Sequence, residues 1–124
     1  MNDGTKNILI CEDNLFVLQL TSFTLEAAGF VVDTAMNTAE IFRKLRDKTM
    51  PALILLDLHI PESGGEFVIQ QIRNQEQTKN IPIILFSGEE KIKEIADKLK
   101  VDGFLRKPYD NKELISAAHK FIPL

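Results

Sequence analysis

Leu53-Ile54-Leu55-Leu56-Asp57 sets four apolar residues in front of one acid, and three further stretches have the same plan. Ile8-Leu9-Ile10-Cys11 runs into Glu12-Asp13, Ile83-Ile84-Leu85-Phe86 into Ser87, and Gly103-Phe104-Leu105-Arg106 into Lys107-Pro108. Near-continuous apolar runs of this length, without polar alternation, are strands buried on both faces, as in a parallel sheet covered by helices. Ligands of such sheets bind at the carboxyl ends of the strands, where the strand order reverses. Three carboxylates, a hydroxyl and an ammonium are therefore expected in one crevice.

Outward from these strands the chain alternates strand and helix five times. A first helix should follow Asp13, with Phe16, Leu20, Phe23 and Ala27 on its buried face and Gly29 closing it. A second strand fits residues 30–35. Asn37 with Glu40, Ser63 with Glu66, and Asp110 with Glu113 each read as a capping box. The helices behind them carry Ile41, Phe42 and Leu45, then Val68, Ile69 and Ile72, then Leu114, Ala118 and Phe121. Ile92, Ile95, Ala96 and Leu99 give the stripe of the fourth helix. Right-handed crossovers place helices on both faces of the sheet, a three-layer doubly wound α/β fold. With no linker, repeat or low-complexity tract, residues 1–124 are expected to form a single domain.

Composition narrows the function classes. The chain has 124 residues, enough for one core that buries roughly two thirds of the unfolded surface. A net charge of −3 gives no basic footprint for nucleic acid. No apolar run approaches the roughly 20 residues that cross a bilayer, and the first residues lack a signal-peptide core. A cytoplasmic location with no membrane contact is expected. The lone cysteine, Cys11, lies in an apolar strand and reads as a small buried hydrophobe. Lysines between Lys91 and Lys100 alternate with Glu94 and Asp97, the pattern of a solvated helix face.

The crevice has a definite chemistry. Carboxylates brought close together cannot all stay ionised without a cation, and an oxygen-only donor set suits Mg²⁺. Ser87 offers a hydroxyl to a transferred phosphoryl group, and Lys107 a charge that pairs with Asp57 at rest and with phosphate afterwards. An ionised carboxylate is already a nucleophile, so Asp57 needs no general base. Taken singly these residues have plainer readings: Asp13 or Asn14 as a helix cap, Asp57 as a turn residue, Ser87 as a loop serine before Gly88. Phe104 taken alone is core.

The ordered motifs Ile-Leu-Ile-Cys-Glu-Asp-Asn, Leu-Leu-Asp-Leu-His-Ile-Pro-Glu-Ser-Gly-Gly, Leu-Phe-Ser-Gly and Gly-Phe-Leu-Arg-Lys-Pro-Tyr resemble those of two-component response regulator receiver domains, of the single-domain chemotaxis type. The resemblance covers residues 6–121. It implies a flavodoxin-like strand order 2-1-3-4-5 and a phosphorylation-dependent signalling switch in a histidine-to-aspartate phosphorelay, not an enzyme in its own right. Asp57 is then the phosphoacceptor, and the phosphoryl group comes from a histidine kinase, a phosphotransfer protein or a small phosphodonor. Mg²⁺ is held by Asp13, Asp57 and the His59 backbone carbonyl, with Glu12 acting through water. Ser87 and Lys107 bind the phosphoryl oxygens, Phe104 is the switch aromatic, and the bond before Pro108 is cis. The output surface is the fourth helix, fifth strand and fifth helix, with Lys91, Ile95, Arg106 and Lys112 as candidates, facing a partner the sequence does not identify. The implied state is a monomer that is able to dimerise on phosphorylation.

Glu12 stands where aspartate is more frequent. His59 and Glu89 occupy the two positions that tune the lifetime of the acyl phosphate in the family, and the His59 ring is expected to point to solvent. His119 reads as a surface or edge residue. Other readings compete: a receiver excised from a hybrid kinase or longer regulator, a non-phosphorylated interaction module, an aspartyl-phosphate phosphatase, or a flavin carrier. A phosphatase of that kind usually has a second aspartate where His59 stands, and Glu12-Asp13 would repel a flavin phosphate.

Overall fold

The computed structural model describes residues 7–46 and 50–123. In chain order the elements are β1 (Asn7–Cys11), α1 (Leu15–Ala27), β2 (Val31–Ala35), α2 (Thr38–Leu45), β3 (Leu53–Asp57), α3 (Gly64–Arg73), β4 (Ile83–Ser87), α4 (Ile92–Leu99), β5 (Gly103–Arg106) and α5 (Asn111–His119). The strands form one parallel sheet in the order β2-β1-β3-β4-β5, as expected. β3 and β4 are buried along their whole length, which is why both read as unbroken apolar runs.

Alternate residues of each strand face opposite ways and divide the core in two. Leu9, Cys11, Ile54, Leu56, Ile83 and Leu85 pack with α2, α3 and α4. Ile8, Ile10, Leu53, Leu55, Ile84 and Phe86 pack with α1 and α5 on the other face. Among the described residues no helix is long and apolar enough to cross a membrane.

The helix ends show which local signals prevail. Asn14 caps α1 by accepting from the Val17 N–H at 3.1 Å, which leaves Asp13 free of that task. Gly29 closes the helix at φ 103°, a conformation open to glycine. Asp110 and Glu113 form a full capping box. Asn37 caps α2, but Glu40 reaches the Met36 N–H rather than that of Asn37.

The box expected at Asn37 and Glu40 is therefore incomplete, and two further expectations fail. Ser63 makes no side-chain cap; its N–H instead donates to Thr38 Oγ1 at 3.1 Å, within a set of bonds tying the β3–α3 loop to α2. Thr38 Oγ1 also donates to the Pro61 carbonyl, and Glu62 Oε1 accepts from the Ala39 N–H. The buried face of α1 is also not the expected one. Leu18, Thr21, Thr24 and Leu25 point inward, while Phe16 is 73% and Phe23 72% exposed, with Leu20 and Ala27 also exposed. At 100° per residue the two stripes lie on nearly opposite sides of the helix. Two small threonines on the inner stripe let α1 approach closely: Thr24 Oγ1 donates to the Leu20 carbonyl, and Thr21 Oγ1 lies 3.3 Å from the Tyr109 hydroxyl.

Candidate functional site: the acidic crevice

Chain order reverses between β1 and β3, and there the expected residues meet. β1 pairs with β3 so that Cys11 lies beside Leu56, which brings Glu12 level with Asp57. On the other side Asp57 lies beside Phe86, the residue before Ser87. The Lys107 N–H donates to the Ser87 carbonyl at 2.8 Å and fixes the start of the β5–α5 loop against β4. The Lys107–Pro108 peptide is cis.

Glu12, Asp57 and Ser87 are buried, and Asp13 is exposed at the rim. Oxygens of Glu12, Asp13 and Asp57 lie within 4.8 Å of one another. Buried carboxylates need partners, and each has them. Glu12 Oε2 accepts from the Asn14 N–H at 3.1 Å, and Asp57 Oδ1 from the His59 N–H at 3.0 Å. Lys107 Nζ lies 2.6 Å from Glu12 Oε1 and 3.4 Å from Asp57 Oδ2. The ammonium also sits 4.7 Å from the centroid of the Phe86 ring.

Lys107 is thus the cation that the clustered carboxylates require. Burial lowers its affinity for the proton. The hydrogen bond to Glu12 and the charges of Asp57 and Glu12 outweigh burial and hold its pKa above the usual lysine value. The expected resting pair was Lys107 with Asp57; the shorter contact is with Glu12. The extra methylene of glutamate over aspartate was the only available signal, and it gives the side chain its reach.

Ser87 Oγ accepts from the Glu89 N–H at 3.1 Å, which leaves its own proton free to donate. The His59 ring is exposed as expected, but it is not free: Nε2 lies 2.9 Å from Glu89 Oε1. Phe104 on β5 is 40% exposed, outside the buried core. His119 is exposed and packs its ring 5.0 Å from that of Phe30. Burial, reinforced by the charge of Asp33, pushes the Cys11 thiol far above its usual range and makes it inert.

The profile of the response regulator receiver domain matches residues 8–119. The chain belongs to that family. It is 32% identical over 114 residues to the DNA-binding dual master transcriptional regulator RpaA of Synechocystis sp., covering 88% of this chain and 46% of that protein. The CAI-1 autoinducer sensor kinase/phosphatase CqsS of Vibrio cholerae is 31% identical over 114 residues, covering 90% of this chain and 16% of that protein. The chain spans about half the length of RpaA and much less of CqsS. Among solved structures, the chemotaxis response regulator CheY4 of Vibrio cholerae superposes with a TM-score of 0.84 at 26% identity, over 93% of this chain and 97% of that one. This receiver domain of two-component signalling therefore has its acidic cluster where a metal could bind.

Proposed function

We propose that this receiver domain is a Mg²⁺-dependent switch that accepts a phosphoryl group on Asp57. The observation that carries the reading is the gathering of Glu12, Asp13, Asp57, Ser87 and Lys107 at the ends of four strands, with Lys107 in contact with two of the acids. Receiver domains are generally signalling modules rather than catalysts.

The residues fit Mg²⁺, because the donor set is oxygen alone. Asp13, Asp57 and the His59 carbonyl would hold it, with Glu12 contributing through water. When bound, the ion supplies charge that offsets the negative charge of a transferring phosphoryl group. The chain's own groups do the remainder. Asp57 is the nucleophile: Oδ1 accepts from the His59 N–H at 3.0 Å, and Oδ2 has the longer 3.4 Å contact with Lys107, which is given up when Lys107 turns to phosphate. Lys107 moves the short distance from the carboxylates to a phosphoryl oxygen, and the Ser87 hydroxyl donates to another.

Phe104, partly exposed on β5 next to the strand that carries Ser87, is the element whose burial changes when Ser87 is drawn toward phosphate. The face of α4, β5 and α5, including Lys91, Ile95, Arg106 and Lys112, would carry the change to a partner. A histidine kinase or histidine phosphotransfer protein would supply the phosphoryl group.

Incubation with acetyl phosphate and Mg²⁺, followed by intact mass measurement, tests the reading. Wild type should gain one phosphoryl group and Asp57→Asn none. Equal gain in both, or no gain under conditions that phosphorylate a control receiver, rejects it.

A further inference from the structure

One side chain in contact with the crevice is neither an acid nor a phosphoryl-binding group. Side chains alternate across a strand, so Glu12, Asp57 and Phe86, two residues beyond Ile10, Leu55 and Ile84 respectively, point to the same face of the sheet. They stand in a row across β1, β3 and β4, with Cys11 beside Leu56 and Asp57 beside Phe86. Lys107 enters from the far end of the row, its N–H fixed to the Ser87 carbonyl on β4. Glu12 lies at the end of β1, two strand spacings or about 10 Å from β4. To come within 2.6 Å of it, the lysine side chain has to cross the row over Phe86 and Asp57. Its Nζ accordingly lies 4.7 Å from the Phe86 ring centroid and 3.4 Å from Asp57 Oδ2. The ring is held in place: it is fully buried, and Tyr109 packs against it at 6.3 Å and 75°.

We propose that Phe86 is a positioning residue for phosphoryl transfer, its ring face carrying the Lys107 ammonium from the acids to the phosphoryl group. The proposal rests on Asp57 being the acceptor. Glu12 pulls the ammonium toward β1, past the nucleophile. The negative face of the ring pulls the other way, and Asp57 stands between the two. A π face has no lone pair to fix one particular N–H, so the ammonium can turn on it and aim its donors at the oxygens present. In the transfer a bond forms from an Asp57 oxygen to phosphorus while the bond from phosphorus to the donor's leaving atom breaks. That atom keeps the electron pair, and Lys107 retains its proton and offsets the negative charge. An aliphatic side chain would fill the same space without attracting a cation, so burial alone does not call for an aromatic here.

The test compares wild type, Phe86→Leu, and a protein carrying trifluorophenylalanine at position 86, whose fluorines weaken the negative face while the ring keeps its shape. Phosphorylation by acetyl phosphate with Mg²⁺ is timed by intact mass. Both altered proteins should react several-fold more slowly than wild type. Phe86→Leu also loses packing and should melt earlier. The fluorinated ring, with a melting temperature near that of wild type, therefore separates positioning from a structural role. NMR of the unphosphorylated protein adds a readout that needs no metal. The Lys107 methylene beside Nζ should resonate upfield of other lysines through the ring current of Phe86, and that shift should vanish in Phe86→Leu. Either altered protein reacting as fast as wild type, or Lys107 signals without the upfield shift, overturns the proposal. A wild-type protein that never gains a phosphoryl group overturns the acceptor reading and the delivery role with it. An upfield shift that persists in that case shows that the placement was right and the chemistry was not.

Discussion

At the ends of β1, β3 and β4 the polar groups Glu12, Asp57 and Ser87 are drawn out of water, whereas along the outside of α1 Phe16 and Phe23 are left in it. The two regions invert the ordinary sorting of residues in opposite directions, and only one of them is bound to the fold. Buried carboxylates are tolerable because Lys107 and two backbone N–H groups meet them. The outer aromatics lie outside both buried clusters, so their exposure is a property of the surface and not of the core.

Removing the cation is the strongest way to break this contrast. Lys107→Met leaves buried charge uncompensated and should cost about 3–5 kcal/mol in denaturant unfolding; a loss below about 1 kcal/mol would mean the crevice stays well solvated. Next come the two sides of α1. Leu25→Ala, on the buried stripe, should cost about 2–5 kcal/mol. A metal response follows: Mg²⁺ at a hundredfold excess over its dissociation constant should add about 2.7 kcal/mol, seen as a higher melting temperature. Asp13→Asn should remove that gain while leaving the metal-free protein no less stable, because Asn14 and not Asp13 caps α1.

Alkaline pH sharpens the comparison further. Burial raises the pKa of Cys11 and of Tyr109 in the folded chain. Each group keeps its proton in the native state after the unfolded chain has lost it, so stability should fall as pH rises above about 9. Tyr109→Phe should flatten the part of the decline that begins near pH 10, as read by unfolding titrations at stepped pH. The smallest effect belongs to the outer stripe: Phe16→Ser should change stability by no more than about 0.5 kcal/mol. A cost like that of Leu25→Ala would show that the stripe is packed after all.

Much of this was legible in the residues. A strand buried on both faces has to be apolar throughout, so β3 and β4 announce themselves, and the acid or hydroxyl that ends each one is located with it. The phase of α1 was not legible. The helix is apolar on two sides, its only charged residue is Glu26, and spacing alone favoured the stripe with the larger side chains. Ser63 and Glu66 carry a sound capping pattern that a tertiary tie to Thr38 overrides. The bond between His59 and Glu89 joins residues 30 apart, beyond the reach of any local rule.

A side chain at Gly65 would place its Cβ 2.8 Å from the Leu58 carbonyl oxygen and 2.9 Å from Leu58 Cα. The first turn of α3 thus rests directly on the backbone that leaves Asp57, like a wall behind a hinge pin. Were Asp57 to take the proposed phosphoryl group, recoil toward α3 would be blocked, and any displacement would have to travel sideways, toward β4 and β5.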